Sequence, residues 1–330
     1  MKVFDLHCDT LSELRRAEMR GDGQTFARNN GHIDLEKLEK GDYMLQCFAA
    51  FVNLADPTPG ADPLVTALEE IDVFKRMMEQ YFDRIAPVYR PEDIRKNAEA
   101  GKISGMLTIE EAGCCKGSLG VLRRMYELGV RMMTLTWNHE NELASPNVVP
   151  GNGPIWPCMP NTETGLKEKG FEFLAEMERL HIIADVSHLS DKGFWDIAEH
   201  SPFAASHSNC RALAPHCRNL TDEMIRVMAE KGGLVGLNYC AGFLDDQPSP
   251  DLCRSTTALM AKHAAHFKQV GGIEIIGLGS DFDGIGGKLE LSDCSKMPLL
   301  ADALRKEGFT EDEVEAIFFR NAQRFFENNL

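Results

Sequence analysis

Eight short apolar runs, most of them followed by a stretch with helical periodicity, constrain this chain more than any other feature. The runs are Lys2–Thr10, Met44–Val52, Ile103–Ile109, Val130–Thr136, Ile182–Val186, Phe203–Ser206, Leu234–Leu237 and Ile273–Gly279. Met44–Val52 is continuously apolar, as a strand covered on both faces should be. Leu64–Arg84 places Leu64, Leu68, Ile71, Phe74 and Met78 at helical spacing, and Gly129 closes a helix over Leu119–Leu128. Further helices are expected over Leu166–Leu180, Asp191–Glu199, Asp222–Lys231, Ser255–Val270, Met297–Lys306 and Glu311–Asn328. Strands that alternate with helices must pair in parallel through right-handed crossovers. Eight such units predict an α/β fold, a closed (β/α)8 TIM-type barrel with its site at the C-terminal ends of the strands. No fixed-period repeat and no Gly/Ser linker divides the chain, so one domain over residues 1–330 is expected.

Charge narrows the partners. Lys plus Arg number 35 and Asp plus Glu 51, a net charge of −16. Such an acidic chain repels phosphate backbones, which argues against nucleic acid and suits a site that concentrates cations. No signal-peptide pattern precedes the first strand and no run of 18 apolar residues occurs, so a cytoplasmic protein without a membrane partner is expected. Ten cysteines lie scattered without C-x-x-C spacing and are expected to be free and mostly buried. Asn141–Gly165 is a long segment rich in Pro, Gly and Asn, expected to act as a lid in which Trp156, Pro157 and Met159 close over the site.

The chemistry gathers at the strand ends. His7 and Asp9, two residues apart, can aim at one point with Cys8 turned away. Glu110 or Glu111 ends the third run, His188 the fifth, His207 the sixth and Asp281 the eighth. Singly, each has an ordinary explanation: a hydrogen-bonded strand-end histidine, a turn aspartate, a solvent-facing glutamate. Arranged as one ring at the mouth of a barrel, they offer enough imidazole and carboxylate ligands for two metal ions, provided that one glutamate spans both. His32, His181, His200, His216, His263 and His266 are read as structural.

The segments DLHCDT, IEEAG, MTLTWN, ADVSHLS, SHSN, CRNLTDEMI and GLGSDFDG, in this order, resemble the renal (membrane) dipeptidase family of zinc peptidases among the amidohydrolase-like barrels. The resemblance implies a metal-dependent dipeptidase that cleaves free dipeptides with hydroxide generated at two divalent metal ions, Zn2+ by expectation. It implies His7, Asp9 and Glu111 on one zinc, and Glu111, His188 and His207 on the other. Glu111 is chosen over Glu110 because the family's bridging glutamate directly precedes a pair of small residues. Asp281 is implied to handle the proton of the attacking water and then of the departing amine, and Arg218 to hold the substrate's terminal carboxylate. A homodimer is compatible with this reading. Two departures stand out. The mammalian members are secreted and lipid-anchored, and they carry a histidine where this chain has Trp137. The indole is expected to line the substrate pocket by shape, since it can neither take nor give a proton as imidazole does. The alternatives are a related amidohydrolase acting on N-acyl amino acids or lactams, and a metal-free binding barrel.

Overall fold

The computed structural model describes residues 1–148, 158–200 and 203–330. Nine parallel strands form its sheet: β1 (Val3–Asp5), β2 (Tyr43–Phe51), β3 (Ile85–Pro87), β4 (Ile103–Glu110), β5 (Val130–Thr134), β6 (Ile183–Asp185), β7 (Ala204–Ala205), β8 (Leu234–Leu237) and β9 (Ile276–Leu278). The order is β2-β1-β9-β8-β7-β6-β5-β4-β3, and β2 also pairs with β4. That second pairing closes eight strands into a TIM-type (β/α)8 barrel. β3 stays outside it, against the first residues of β4, where Ile85 pairs with Ile103.

Each of the eight expected runs overlaps one barrel strand. Among the strands and the helices of eight residues or more, two elements were not anticipated. One is β3. The other is a helix over Thr10–Arg20, directly after Asp9. Only Leu11, Leu14 and Ala17 give that helix a buried apolar stripe, and its other face carries five charges, so its periodic signal is weak. Elsewhere the helix ends follow side-chain chemistry. Asp62 accepts from the backbone N–H groups of Leu64 and Val65 ahead of the helix Pro63–Gln80, and Ser118, Thr221 and Thr256 cap later helices in the same way.

Two packed layers result. One cluster draws Phe4 and Leu6 from β1 and its end, Leu45 and Cys47 from β2, and Met106, Met132, Ile183, Ala204 and Leu234 from the strands that follow. This is the barrel interior. Phe325 and Phe326 of the last helix join it, and Phe326 stacks on Phe4 at 5.3 Å. The larger cluster lies between the strands and the surrounding helices and includes Leu107 and Ile109 of β4. Side chains alternate along a strand, so Glu110 shares the inward face with Met106 while Leu107 and Ile109 face the helices. Among the described residues no helix is long and apolar enough to cross a membrane.

Candidate metal centre and substrate cavity

The strand ends meet as the ring requires, with one exchange of partners. His7 Nε2 lies 3.5 Å from Asp9 Oδ2, 3.3 Å from Glu110 Oε2 and 3.9 Å from Asp281 Oδ1. Glu110 Oε1 faces the other way, 3.0 Å from His188 Nε2 and 3.6 Å from His207 Nε2. Glu110 therefore reaches both groups of ligands with separate oxygens. The expected Glu111 does not. Its backbone leaves the strand with φ 102°, and its carboxylate accepts from Gly113 N, Trp137 N and the Asn141 amide. The physical reason is strand parity: Glu110 continues the inward face of β4, and the next residue has to point elsewhere.

The second nitrogens of the histidines are already engaged. His188 Nδ1 lies 3.0 Å from Asn138 Oδ1, which can only accept, so Nδ1 carries the proton. His207 Nδ1 lies 2.7 Å from Ser206 Oγ, whose own hydrogen goes to Asp185 Oδ2. Both rings thus turn bare Nε2 lone pairs inward, and those two atoms are only 3.0 Å apart. Two acceptors at that distance repel unless a cation lies near them. His7 Nε2 and Asp9 Oδ1 add two buried polar atoms with no hydrogen-bond partner. An isolated polar atom in that position is costly. The donor set fits divalent cations: neutral imidazoles and carboxylates, converging and otherwise unsatisfied.

The protonation states of His188, His207 and Glu110 suit this set directly. Burial holds His188 down at about 4, helped by the nearby Arg218 cation. Burial, with His7 and Arg218, keeps His207 well below its usual range. Burial resists ionisation of Glu110, but His7 and His188 overrule it and hold its carboxyl well below the ordinary value. Burial likewise opposes charge on His7, which the Glu110 and Asp9 carboxylates nevertheless hold protonated. A cation that displaces this proton would satisfy the same carboxylates. Burial pushes Asp281 up to about 7, and Asn238 donates to its Oδ2 at 3.0 Å.

Local backbone geometry supports the cluster. His188 and Asp281 both adopt positive φ, 69° and 61°. Such conformations persist where the surroundings dictate them and concentrate at functional sites. A Cβ on Gly284 would run into the Asp9 carboxylate, so glycine alone allows the loop after β9 to close over that side chain.

A cavity of about 690 Å3 opens above the cluster, lined by Asp9, Glu110, Trp137, Asn138, His188 and Asp281 among others. The Trp137 indole stands edge-on to Phe51 at 4.9 Å and 6.1 Å from the His188 ring. A second hollow of about 1140 Å3 adjoins the first through Cys240, Phe243 and Gly286. Arg218 is not in the wall of the first cavity. It is buried beside the cluster, with Nη2 donating to His207 O at 3.3 Å, its guanidinium 5.3 Å from the Phe243 ring, and Nε unpartnered. Its neighbour Cys217 is bonded to Cys158, with Cα atoms 5.3 Å apart, which corrects the expectation that every cysteine is free. The pair lies 59 residues apart in sequence, so only the fold could bring it together. Of the expected lid, Trp156 and Pro157 lie outside the described residues, and Met159 is 68% exposed.

Comparison with known proteins agrees with this geometry. The pattern of the family described as Membrane dipeptidase (Peptidase family M19) matches residues 1–329. The chain belongs to that family. It is accordingly a metal-dependent hydrolase of peptide bonds, built on the amidohydrolase-like barrel. An uncharacterised dipeptidase of Schizosaccharomyces pombe is 33% identical over 342 residues, covering 98% of this chain and 79% of that one. The dipeptidase tcpJ of Claviceps purpurea is 28% identical over 304 residues, covering 89% and 68%. A metallopeptidase from Rhodobacter sphaeroides, solved with a phosphinate mimic of the dipeptide L-Ala-D-Ala, superposes with a TM-score of 0.88 at 27% identity, covering 100% and 99% of the two chains.

Several supporting contacts escaped sequence reasoning: Asn138, expected near the substrate carbonyl, on His188, Ser206 and Asp185 on His207, and Asn238 on Asp281. All sit at strand ends, which was the one signal available for them. Glu110 had a readable signal, since Ile103, Leu107 and Ile109 already mark the helix-facing side of β4.

Proposed function

We propose that this chain hydrolyses the peptide bond of free dipeptides at a pair of divalent cations, zinc being the metal that suits the imidazole and carboxylate set. His7, Asp9 and Glu110 hold one cation; Glu110, His188 and His207 hold the other. The observation that carries this reading is Glu110, whose two oxygens face separate groups of ligands at 3.3 Å and 3.0 Å. When bound, the cations supply Lewis acidity toward the scissile carbonyl and an activated water.

The side chains divide the remaining work. Asp281 stands 3.9 Å from His7 Nε2 with its other oxygen fixed by Asn238, so it can take a proton from the attacking water and return it to the leaving amine. Arg218 is the cation assigned to the C-terminal carboxylate of the substrate: it lies behind the cavity wall, against Phe243, which lines both hollows, and its buried Nε has no partner. Trp137 narrows the cavity beside the scissile bond, and the adjoining hollow beyond Cys240 and Phe243 has room for larger side chains. The dipeptide mimic on the Rhodobacter relative supports including L,D as well as L,L substrates in the test.

The deciding experiment compares free, N-acetylated and C-amidated dipeptides on the wild-type enzyme and on Arg218→Ala. The expected result is preference for free dipeptides, with Arg218→Ala raising KM for these far more than for amides. Equal turnover of N-acetylated substrates would favour an acylamino-acid hydrolase. Equal KM losses on acids and amides would make Arg218 structural.

A further inference from the structure

The glutamate that does not face the histidines needs an explanation of its own. Glu111 is 0% exposed and sits at φ 102°, a conformation that L side chains rarely adopt. Its carboxylate has no cationic partner among its hydrogen bonds. Two of those three bonds run to the turn that carries Trp137 and Asn138 of the cavity wall. Oε2 accepts from Trp137 N at 2.7 Å, while Oε1 accepts from Gly113 N at 2.8 Å and from Asn141 Nδ2 at 2.5 Å. Asn141 in turn accepts from Leu143 N and Ala144 N and donates to Leu135 O. The turn that leaves β5 is therefore fastened at both of its ends to one carboxylate on the neighbouring strand. Between the two fastened points lies Asn138, whose Oδ1 meets His188 Nδ1 at 3.0 Å.

We infer that Glu111 is a positioning residue: its carboxylate clamps the turn 137–141 so that Asn138 orients the His188 imidazole and Trp137 forms a fixed wall of the cavity. This rests on the reading of His188 as a cation ligand. A backbone strained at an element end and a buried carboxylate are both unfavourable alone. Here the same carboxylate makes the bonds that hold both ends of that turn. Partners that orient a ligating histidine typically change cation affinity by about 10–100-fold when removed.

The test uses Glu111→Gly, which relaxes the backbone while deleting the clamp, alongside Asn138→Ala and the double variant. Hydrogen exchange in cation-free protein should speed up across residues 136–144 in Glu111→Gly. Chelator competition should show one of the two cations bound about 10-fold more weakly and the other unchanged. The double variant should bind no more weakly than either single variant, because the two residues act in series. Unchanged exchange in a folded Glu111→Gly protein would overturn the clamp. Faster exchange with wild-type cation affinity, or losses that multiply in the double variant, would overturn the positioning role. If Glu111→Gly does not fold, Glu111→Gln keeps one acceptor oxygen and should show the same pattern at smaller amplitude; its absence there is equally decisive. Should His188→Ala and Glu110→Gln also bind cations as wild type does, the metal reading itself falls, a pattern distinct from all the others.

Discussion

Replacing Glu110 by glutamine gives the sharpest test of the centre. The carboxylate presents Oε1 to His188 and His207, at 3.0 and 3.6 Å, and Oε2 to His7 at 3.3 Å. An amide removes the negative charge and turns one oxygen into a donor that ligates nothing. Each half of the centre then loses a charge-assisted contact worth about 1.5–3 kcal/mol. With a factor of ten for every ~1.4 kcal/mol, each cation should bind about 10- to 100-fold more weakly. His7 also loses the neighbour that most strongly holds its pKa up. The assay is metal content after dialysis against a graded chelator, read beside dipeptidase activity. Wild type should retain close to two ions per chain where Glu110→Gln retains few, and Glu111→Gln should leave one site at wild-type affinity. Full metal and activity in Glu110→Gln, with loss of both in Glu111→Gln, would refute the parity argument and return the bridging role to Glu111.

Three further outcomes are expected. Asp281→Asn should fold and keep its metal but lose about 100-fold or more in kcat, the usual scale for a proton-transferring group; a near-wild-type kcat removes it from the reaction. Trp137→Ala should change the ranking of dipeptides by side-chain size with metal content intact, whereas a lower Tm with an unchanged ranking would make the indole mere packing. Burial pushes Glu70 up to about 8 from 4.5, against hydrogen bonds from Ser12 and the backbone of Phe51 that favour its ionised form. The folded state thus holds this proton more tightly than the unfolded chain does. The group's contribution is complete below about pH 4.5 and declines as pH rises toward 8, by at most about 1.4 kcal/mol per unit. Urea unfolding of cation-free protein across that range should show a shallower pH dependence for Glu70→Gln, and identical slopes would disprove the assignment.

Much of the architecture was legible in the chain because it depends on local periodicity. Apolar runs such as Met44–Val52 and helical stripes such as Leu64 to Met78 reveal their elements without reference to anything distant. Alternation of strand and helix then leaves few topologies open. His7, Asp9, His188, His207 and Asp281 could be singled out because a barrel turns every strand end toward one mouth. The choice between Glu110 and Glu111 was also local in principle, since Leu107 and Ile109 mark the outer face of β4; family resemblance favoured Glu111, whereas the structure turns Glu110 toward the histidines. The remaining features depend on contacts between segments far apart in sequence. The bond between Cys158 and Cys217, the hold of Asp185 on Ser206 and His207, and the grip of Glu111 on Trp137 and Asn141 leave no spacing pattern. Periodicity records which face of an element is buried, whereas partners across the barrel are set by how the elements pack, and no local stretch of sequence records that.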